Sequence, residues 1–377
     1  MKSRVCMMAL FGLFLIFASP VKAENDSVLT PEEGKKILLF MKKLQIGLYV
    51  DVYSSLDIKN IDDTSQTLPL YANCMRTNDF RLNVAAVLFT YRAEKTRANF
   101  TLQLGDIPML LAKVEYQWIK YMRQANFGFK LTKRTWIDMG YMLNPIGCES
   151  SWPVYNRLST ASVGGYFEPG NIVGIKVSTQ YNDKFGTAFY IGNPYSLAYN
   201  SDTYISAGLQ LSYTPFKNLG IYYANIAGMQ SRFEDKDKFQ LYNNIIVDYT
   251  PVKWLNVSGQ YDLAWQTNSH IGPDTTALSY MNSGFIQASF RPLKWFSVSI
   301  RGEFYSDPNG FLSGVYTDEG VQNGLQTLGF TGGVEFKPIN ILYLRAEFRD
   351  VNTNQPIYHN GTDKFQDALI FTAGIKI

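Results

Sequence analysis

The sequence predicts an all-β chain: a transmembrane antiparallel β-barrel of about sixteen strands, with short periplasmic turns and long extracellular loops. Three observations predict it. Apolar and polar residues alternate strictly over long stretches; in 254–265, Leu255, Val257, Tyr261, Leu263 and Trp265 interleave with Asn256, Ser258, Gln260, Asp262 and Ala264. Successive strand side chains point to opposite faces, so period two marks two environments, one greasy and one wet. Most runs last about 9–13 residues, close to the ~9–11 of a tilted membrane strand and longer than the ~5–6 of a soluble one. Short and long connections also take turns along the chain, as outer-membrane barrels are wired.

Composition agrees. The 377 residues include 25 Tyr, 25 Phe, 6 Trp and 29 Gly, and only 18% are charged, a mixture that suits pleated surfaces. Beyond the N-terminus no run of about 18 apolar residues offers a helical membrane span. Residues 1–23 have the pattern of a signal peptide: Lys2 and Arg4, the apolar stretch MMALFGLFLIFAS at 7–19, and a small-residue cleavage site at Val21-Lys22-Ala23. Cleavage there removes Lys2, Arg4 and Lys22 and no acid, so the formal charge of +3 falls to zero. The basic excess belongs to the export signal and is no argument for nucleic acid. Residues 24–43 are expected to be a short periplasmic segment with a helix start at Thr30-Pro31-Glu32-Glu33. Residues 44–377 would form the barrel.

Strands are expected near 44–55, 79–91, 96–104, 124–132, 134–142, 171–181, 185–193, 203–214, 219–228, 239–250, 254–265, 278–290, 295–305, 325–336, 341–350 and 365–377. An even number returns both ends to the short-turn side, and closure removes exposed sheet edges. Pro215, Pro251, Pro292 and Pro338 each open a short turn, where a missing N–H interrupts no ladder. Trp254 and Trp295 would then lie at interface height. The proline recurrence also raises a β-propeller, but each interval holds two long strands and a loop rather than four short strands. Residues 105–123 could hold a short external helix, with Leu110, Leu111, Val114, Trp118, Ile119 and Met122 near helical spacing.

The stretch WIDMGYMLNPIGCESSWPVYNRLSTASVGGYFEPGNIVGIKVS, 136–178, resembles the OmpL-like β-barrel porin family, found mainly in Bacteroidetes. Gly147-Cys148-Glu149-Ser150, the Tyr-Phe-Glu-Pro-Gly element at 166–170 followed by Ile-Val-Gly-Ile-Lys, and GDIP at 105–108 ahead of ANFGFKL at 125–131 carry the resemblance. It implies an exported outer-membrane barrel with pore activity, and it supplies no catalytic residues. The chain ends on Ile377 rather than on the aromatic residue common in barrel assembly signals.

In such a barrel, function lies in the lumen and in loops folded into it. The inward set expected to line the pore is Arg81, Arg97, Lys130, Asp138, Lys176, Asp248, Asp262, Arg301, Glu303, Arg345, Glu347 and Arg349. Its signs are mixed, so no strong ion preference is written in it. Arg301, Glu303, Arg345, Glu347 and Arg349 are expected to be solvated lumen charges paired across strands. Residues 143–170 form the longest connection, and long loops carry function more often than short ones. They either bend inward as a constriction, with Glu149, Tyr155, Arg157, Tyr166 and Glu168 at the eyelet, or cap the barrel outside. Cys74 and Cys148 fall in predicted external loops and are either bridged or free.

Enzyme signals are absent. His270 and His359 sit in loop sequence without a nucleophile or metal-ligand spacing beside them. No cofactor or metal is expected. The function expected is passive diffusion of small hydrophilic solutes through an outer-membrane porin; the alternative is a filled barrel serving as a surface adhesion or structural protein. Expected partners are outer-membrane lipid, small hydrophilic solutes and, during insertion, the barrel-assembly machinery, with a homo-oligomer left open.

Overall fold

A computed structural model describes residues 30–60, 67–111, 119–193, 205–229, 238–272, 274–318 and 320–377. The expected signal peptide, 1–23, lies outside them. A separate N-terminal unit contains α1 (Pro31–Met41), which starts at the expected Thr30-Pro31 site. Proline is favoured in a first turn, where its missing N–H has no intrahelical partner to lose.

The rest is a barrel. Its strands are β1 (Leu44–Asp57), β2 (Phe80–Arg92), β3 (Thr96–Leu104), β4 (Met122–Lys130), β5 (Thr135–Met142), β6 (Ile172–Gln180), β7 (Phe185–Gly192), β8 (Ser206–Phe216), β9 (Leu219–Met229), β10 (Phe239–Val252), β11 (Leu255–Gln266), β12 (Ser279–Leu293) and β13 (Phe296–Asp307), then β16 (Leu325–Ile339), β17 (Leu342–Thr353) and β18 (Phe365–Lys376). Every neighbouring pair is antiparallel, and β18 pairs with β1 to close the ring of sixteen. Ile377 completes the seam: its N–H and carbonyl both bond to the backbone of Leu48. The small strands β14 (Tyr316–Asp318) and β15 (Val321–Asn323) make a hairpin within the loop after β13. All sixteen barrel strands fall within a few residues of the sequence expectation.

The two faces separate as period two requires. On β12, Ile286 points outward and is 70% exposed, whereas its neighbours Phe285 and Gln287 are buried. Outward rows such as Ile46, Leu48, Val50 and Val52 are exposed, while Tyr49, Asp51 and Tyr53 between them are buried inside. An apolar exterior around a polar interior is the inverse of a soluble protein and fits a bilayer.

The proline turns are tighter than expected. Strands run one residue past Pro215, Pro251, Pro292 and Pro338, and each turn shrinks to the two residues after that, such as Lys253-Trp254. In all four hairpins the register shifts next to the turn, as between Tyr249 and Val252. Such a bulge lets proline sit where no ladder donor is needed. The residue before each proline still bonds sideways to a neighbouring turn: Arg291 N–H to Trp254 O at 2.7 Å and Lys337 N–H to Trp295 O at 2.7 Å. Trp254 and Trp295 are half-exposed and pack edge-on against Phe290 and Phe336, as an interfacial aromatic belt does.

Two sequence expectations need correction. The helix expected across 105–123 is a single π-helical turn, Ile107–Leu111, and a short 3₁₀ turn, Ile119–Tyr121; β4 already begins at Met122, and residues 112–118 lie outside the description. Residues 67–78 of the first long connection are not external. Leu68, Leu70, Tyr71, Ala72, Asn73, Cys74 and Met75 are all buried, and Tyr71 donates to the carbonyl oxygens of Arg349 and Gln366 on the barrel wall.

Candidate functional site: the lumen and its inward loops

Residues 143–170 leave β5 and cross the interior to the wall made by β13, β16, β17 and β18. Polar groups on that wall hold them there. Arg301 donates to Glu149 Oε1 at 2.7 Å and to the Thr160 carbonyl at 2.8 Å. Arg345 donates to the carbonyls of Pro153 and Asn156 at 2.9 and 2.8 Å. Arg349 donates to the Ala161 carbonyl. The carboxylates do the complementary work. Glu303 accepts from Val163 N–H at 2.6 Å, and Glu347 accepts from the backbone of Ser159 and Thr160 and from the Thr160 hydroxyl. Arginine forks satisfy carbonyl acceptors and carboxylates satisfy N–H donors, so an irregular segment is buried with its backbone bonded.

The wall charges also pair with each other: Arg345 with Glu335 at 2.7 Å and Arg349 with Glu303 at 3.0 Å. Cross-strand pairing was expected; solvation was not found. Arg301 and Arg349 are wholly inaccessible. They face inward as the alternation requires, but they meet the loop instead of water.

The opposite end of the loop is pinned to β10 and β11. Asn244 Oδ1 accepts from Gly147 N–H at 3.2 Å, and Gln260 accepts from Cys148 N–H at 2.8 Å. Gln260 also donates to Glu168 and, at 2.8 Å, to Asp262, whose carboxylate accepts from Asn244 and Ser283 as well. Enclosure by the wall raises the Glu168 carboxyl well above its ordinary range, and the Asp262 charge adds to the rise. Two glycines permit this close seating. Gly147 has φ +82° and lies against the Glu168 carboxylate, and a Cβ on Gly164 would stand 2.7 Å from Ser283 Oγ.

The short helix α2 (Val163–Phe167) turns the chain back toward β6, capped by the Ser162 hydroxyl accepting from Gly165 N–H. Trp152 is fully buried, donates to Gln103 at 2.9 Å, and lies under the Arg123 guanidinium at 4.2 Å. Among the five eyelet candidates, Glu149 is engaged with Arg301 and with Ser162 N–H. Tyr166 packs edge-on against Phe167. Tyr155 and Arg157 remain exposed at the loop tip, and Lys376 donates to the Tyr155 hydroxyl at 2.8 Å.

The inward loop 67–78 joins this assembly. Asn73 donates to the Ser159 carbonyl at 3.1 Å, and Ala161 N–H to the Ala72 carbonyl at 3.1 Å. Cys74 and Cys148 stand apart as free thiols in this structure. Cys74 is buried beside Asn83, whereas Cys148 is exposed in the segment held by Gln260.

The rest of the lumen wall is different. On β3–β8 the inward side chains Arg97, Lys130, Lys176, Ser178, Gln210 and Ser212 keep contact with solvent, whereas Thr101, Asp138, Tyr190 and Ser206 are buried. Arg97 binds Asp138 through Nε at 2.6 Å and stacks over Trp136 at 4.3 Å. Lys130 lies 5.6 Å from the same indole, and Lys176 stands across the ladder from Asp138. Arg97, Trp136, Ser178, Gln210 and Ser212 border a cavity of about 270 Å³. A second cavity, of about 290 Å³, lies between β2–β4 and the loop at Trp152 and Tyr155. Of the remaining candidates, Arg81 pairs with Asp79 at 2.8 Å, and Asp248 accepts from Asn256 at 2.7 Å.

A family model described as "Putative beta-barrel porin-2, OmpL-like" matches residues 43–377. The chain belongs to the OmpL-like β-barrel porin family. Family and fold together make it an outer-membrane porin. Solved porins share the architecture at low identity. OmpF of Salmonella typhi aligns with a TM-score of 0.62 at 11% identity, over 89% of this chain and 97% of that one. The outer-membrane channel DcaP of Acinetobacter baumannii gives 0.59 at 7%, over 89% and 97%. The trimer form of OmpT from Vibrio cholerae gives 0.53 at 13%, over 89% and 99%. No curated protein matches the chain.

Sequence reading missed several residues of this porin's interior. Gln260 was seen only as a polar member of an alternating strand, and Asn244 and Glu335 were not singled out. Tyr49, Tyr343 and Asp51 form a buried chain, with 2.8 Å between the two hydroxyls and Tyr343 donating to Asp51; Tyr49 also accepts from Val154 N–H in the loop at 3.2 Å. The one sequence signal was an inward position occupied by a large tyrosine, which is hard to place in open water.

Proposed function

We propose that this porin is a passive channel for small hydrophilic solutes, with residues 143–170 as its constriction. The observation that carries the reading is the asymmetry of the lumen. The loop is anchored to one wall, by Arg301, Arg345 and Arg349, while Arg97, Lys130, Lys176, Ser178, Gln210 and Ser212 on the inward face of β3–β8 stay polar and water-accessible. A loop held to one side narrows a pore and leaves a path along the other side. Tyr155 and Arg157 at the exposed tip, with Arg97, Lys130 and Lys176 across the lumen, border that path. Signal-peptide export through 1–23, barrel assembly in the outer membrane and association into trimers, the form solved for OmpT, complete the proposal.

One observation favours the filled-barrel alternative. Residues 67–78 also enter the lumen and bury Leu68, Leu70 and Tyr71 there. Liposome swelling separates the readings. Vesicles carrying the refolded mature chain should swell in isotonic pentose or hexose, more slowly as the sugar grows. Vesicles that swell no faster than protein-free ones would support the filled barrel.

A further inference from the structure

Lumen carboxylates and lumen cations are used differently. Glu149, Glu303, Glu335 and Glu347 are spent in the anchored wall, where Arg301, Arg345, Arg349 and Lys337 balance them. Asp138 is held by Arg97. A carboxylate with a guanidinium about 3 Å away acts on distant ions as a dipole, whose field decays faster than that of a lone charge. Asp51 and Asp262 are buried beneath the loops, bonded to Tyr343 and Asn83 and to Asn244, Gln260 and Ser283.

Several cations have no such partner. Lys130, Lys176, Arg157 and Arg291 form no ion pair among the described residues and keep solvent contact. The Lys376 ammonium donates to the Tyr155 hydroxyl, lies over that ring, and forms no ion pair among the described residues. Lys130, Arg291, Lys376 and Arg157 gather toward the short-turn end of the barrel, and Lys176 stands at mid-barrel height. Lys130 ends β4, Lys176 lies midway along β6, Arg291 lies beside the β12 turn, and Lys376 ends β18. Arg157 reaches them from the loop tip. Its guanidinium is held below the ordinary arginine range, first by desolvation and next by the like charge of Arg291, with Asp248 and Glu335 acting in the opposite sense. Among the described residues, Asp138 and Glu335 also face this group but are paired with Arg97 and Arg345, whereas Asp248 accepts from the Asn256 amide.

We propose that the pore prefers anionic solutes, because its water-facing surface from mid-barrel to the short-turn end carries the cations Lys130, Lys176, Arg157, Arg291 and Lys376, none of them in an ion pair among the described residues. This rests on the channel reading above. Low-dielectric walls focus the field of such charges along the water path and concentrate counter-ions there. Small carboxylates and phosphates are the solutes this chemistry favours. A neutral composition hides the preference, since it arises from which charges the fold spends on anchoring.

The test is the reversal potential of the refolded mature porin in a planar bilayer under a tenfold KCl gradient. The expected result lies on the chloride side, with a chloride-to-potassium permeability ratio of about 3 or more at low salt. It should shrink near 1 M salt, where the screening length falls to about 3 Å. Arg157→Gln combined with Arg291→Gln, and separately Lys176→Gln, should each move the ratio toward one. Lys217→Gln, the same charge change on an exposed turn, should leave it unchanged. A conducting pore with zero or potassium-side reversal overturns the anion preference alone, as does a lumen variant that matches wild type. Inserted protein that never conducts overturns the channel reading, and the preference with it.

Discussion

Replacing Arg301 with methionine removes the guanidinium that Glu149 and Glu303 share, in a place water does not reach. Breaking one partner from a buried charge network typically costs about 3–5 kcal/mol. Arg301→Met should lower the urea midpoint of the barrel and expose 143–170 to protease, while Arg301→Lys, which keeps the charge without the fork, should fall between. An unchanged midpoint and intact loop would show that the anchor contributes nothing. The free cysteines give a second expectation. In the folded porin a maleimide should label Cys148 and spare Cys74, with both labelled after unfolding; the opposite order, or no labelling, contradicts their placement. Glu168 supplies the pH dependence. Its carboxyl is raised in the folded state, so its favourable contribution is full below the ordinary carboxylate range and is lost as pH rises through the raised value. The loop should therefore seat more firmly at mildly acidic pH, measured as slower proteolysis of 143–170, and Glu168→Gln should flatten that dependence.

At the scale of the strand, the barrel's two faces make opposite demands. Ile286 stands mid-strand on the outward face, so Ile286→Arg should cost about 2–4 kcal/mol in lipid. Ser258 faces the lumen opposite Asp248 on the ladder, and Ser258→Arg should cost little. Equilibrium unfolding in vesicles gives both values, and equal costs would mean the faces are misassigned. The strands were legible because their signal is local: a residue's face depends on its parity within some ten neighbours. The proline turns were legible as places where pairing stops, but not as bulged two-residue turns, since that geometry depends on the register between two strands. Loop direction was not legible at all. Residues 67–78 look like any polar connection, and their burial depends on meeting Ser159 and the wall near Arg349 and Gln366, far away in sequence. The charged ladder of β13 and β17 was found, but its partners are backbone groups of a loop, which side-chain pattern does not announce.

For the whole molecule, the consequence is a division of labour around the ring. The wall of β13 and β16–β18 holds the loop, the wall of β10 and β11 ties its base, and the face around Arg97, Lys130, Lys176, Gln210 and Ser212 is left to meet water. A chain with a formal charge of only +3 can thus present an uneven lumen, because folding decides which charges stay available. The most direct measurement is single-channel conductance before and after deletion of residues 150–165, in barrels shown to be folded and inserted. The account predicts a larger unit conductance for the deletion, since the segment occupies the lumen and its removal wets Arg301, Arg345 and Arg349. Equal conductance in the two proteins would contradict it.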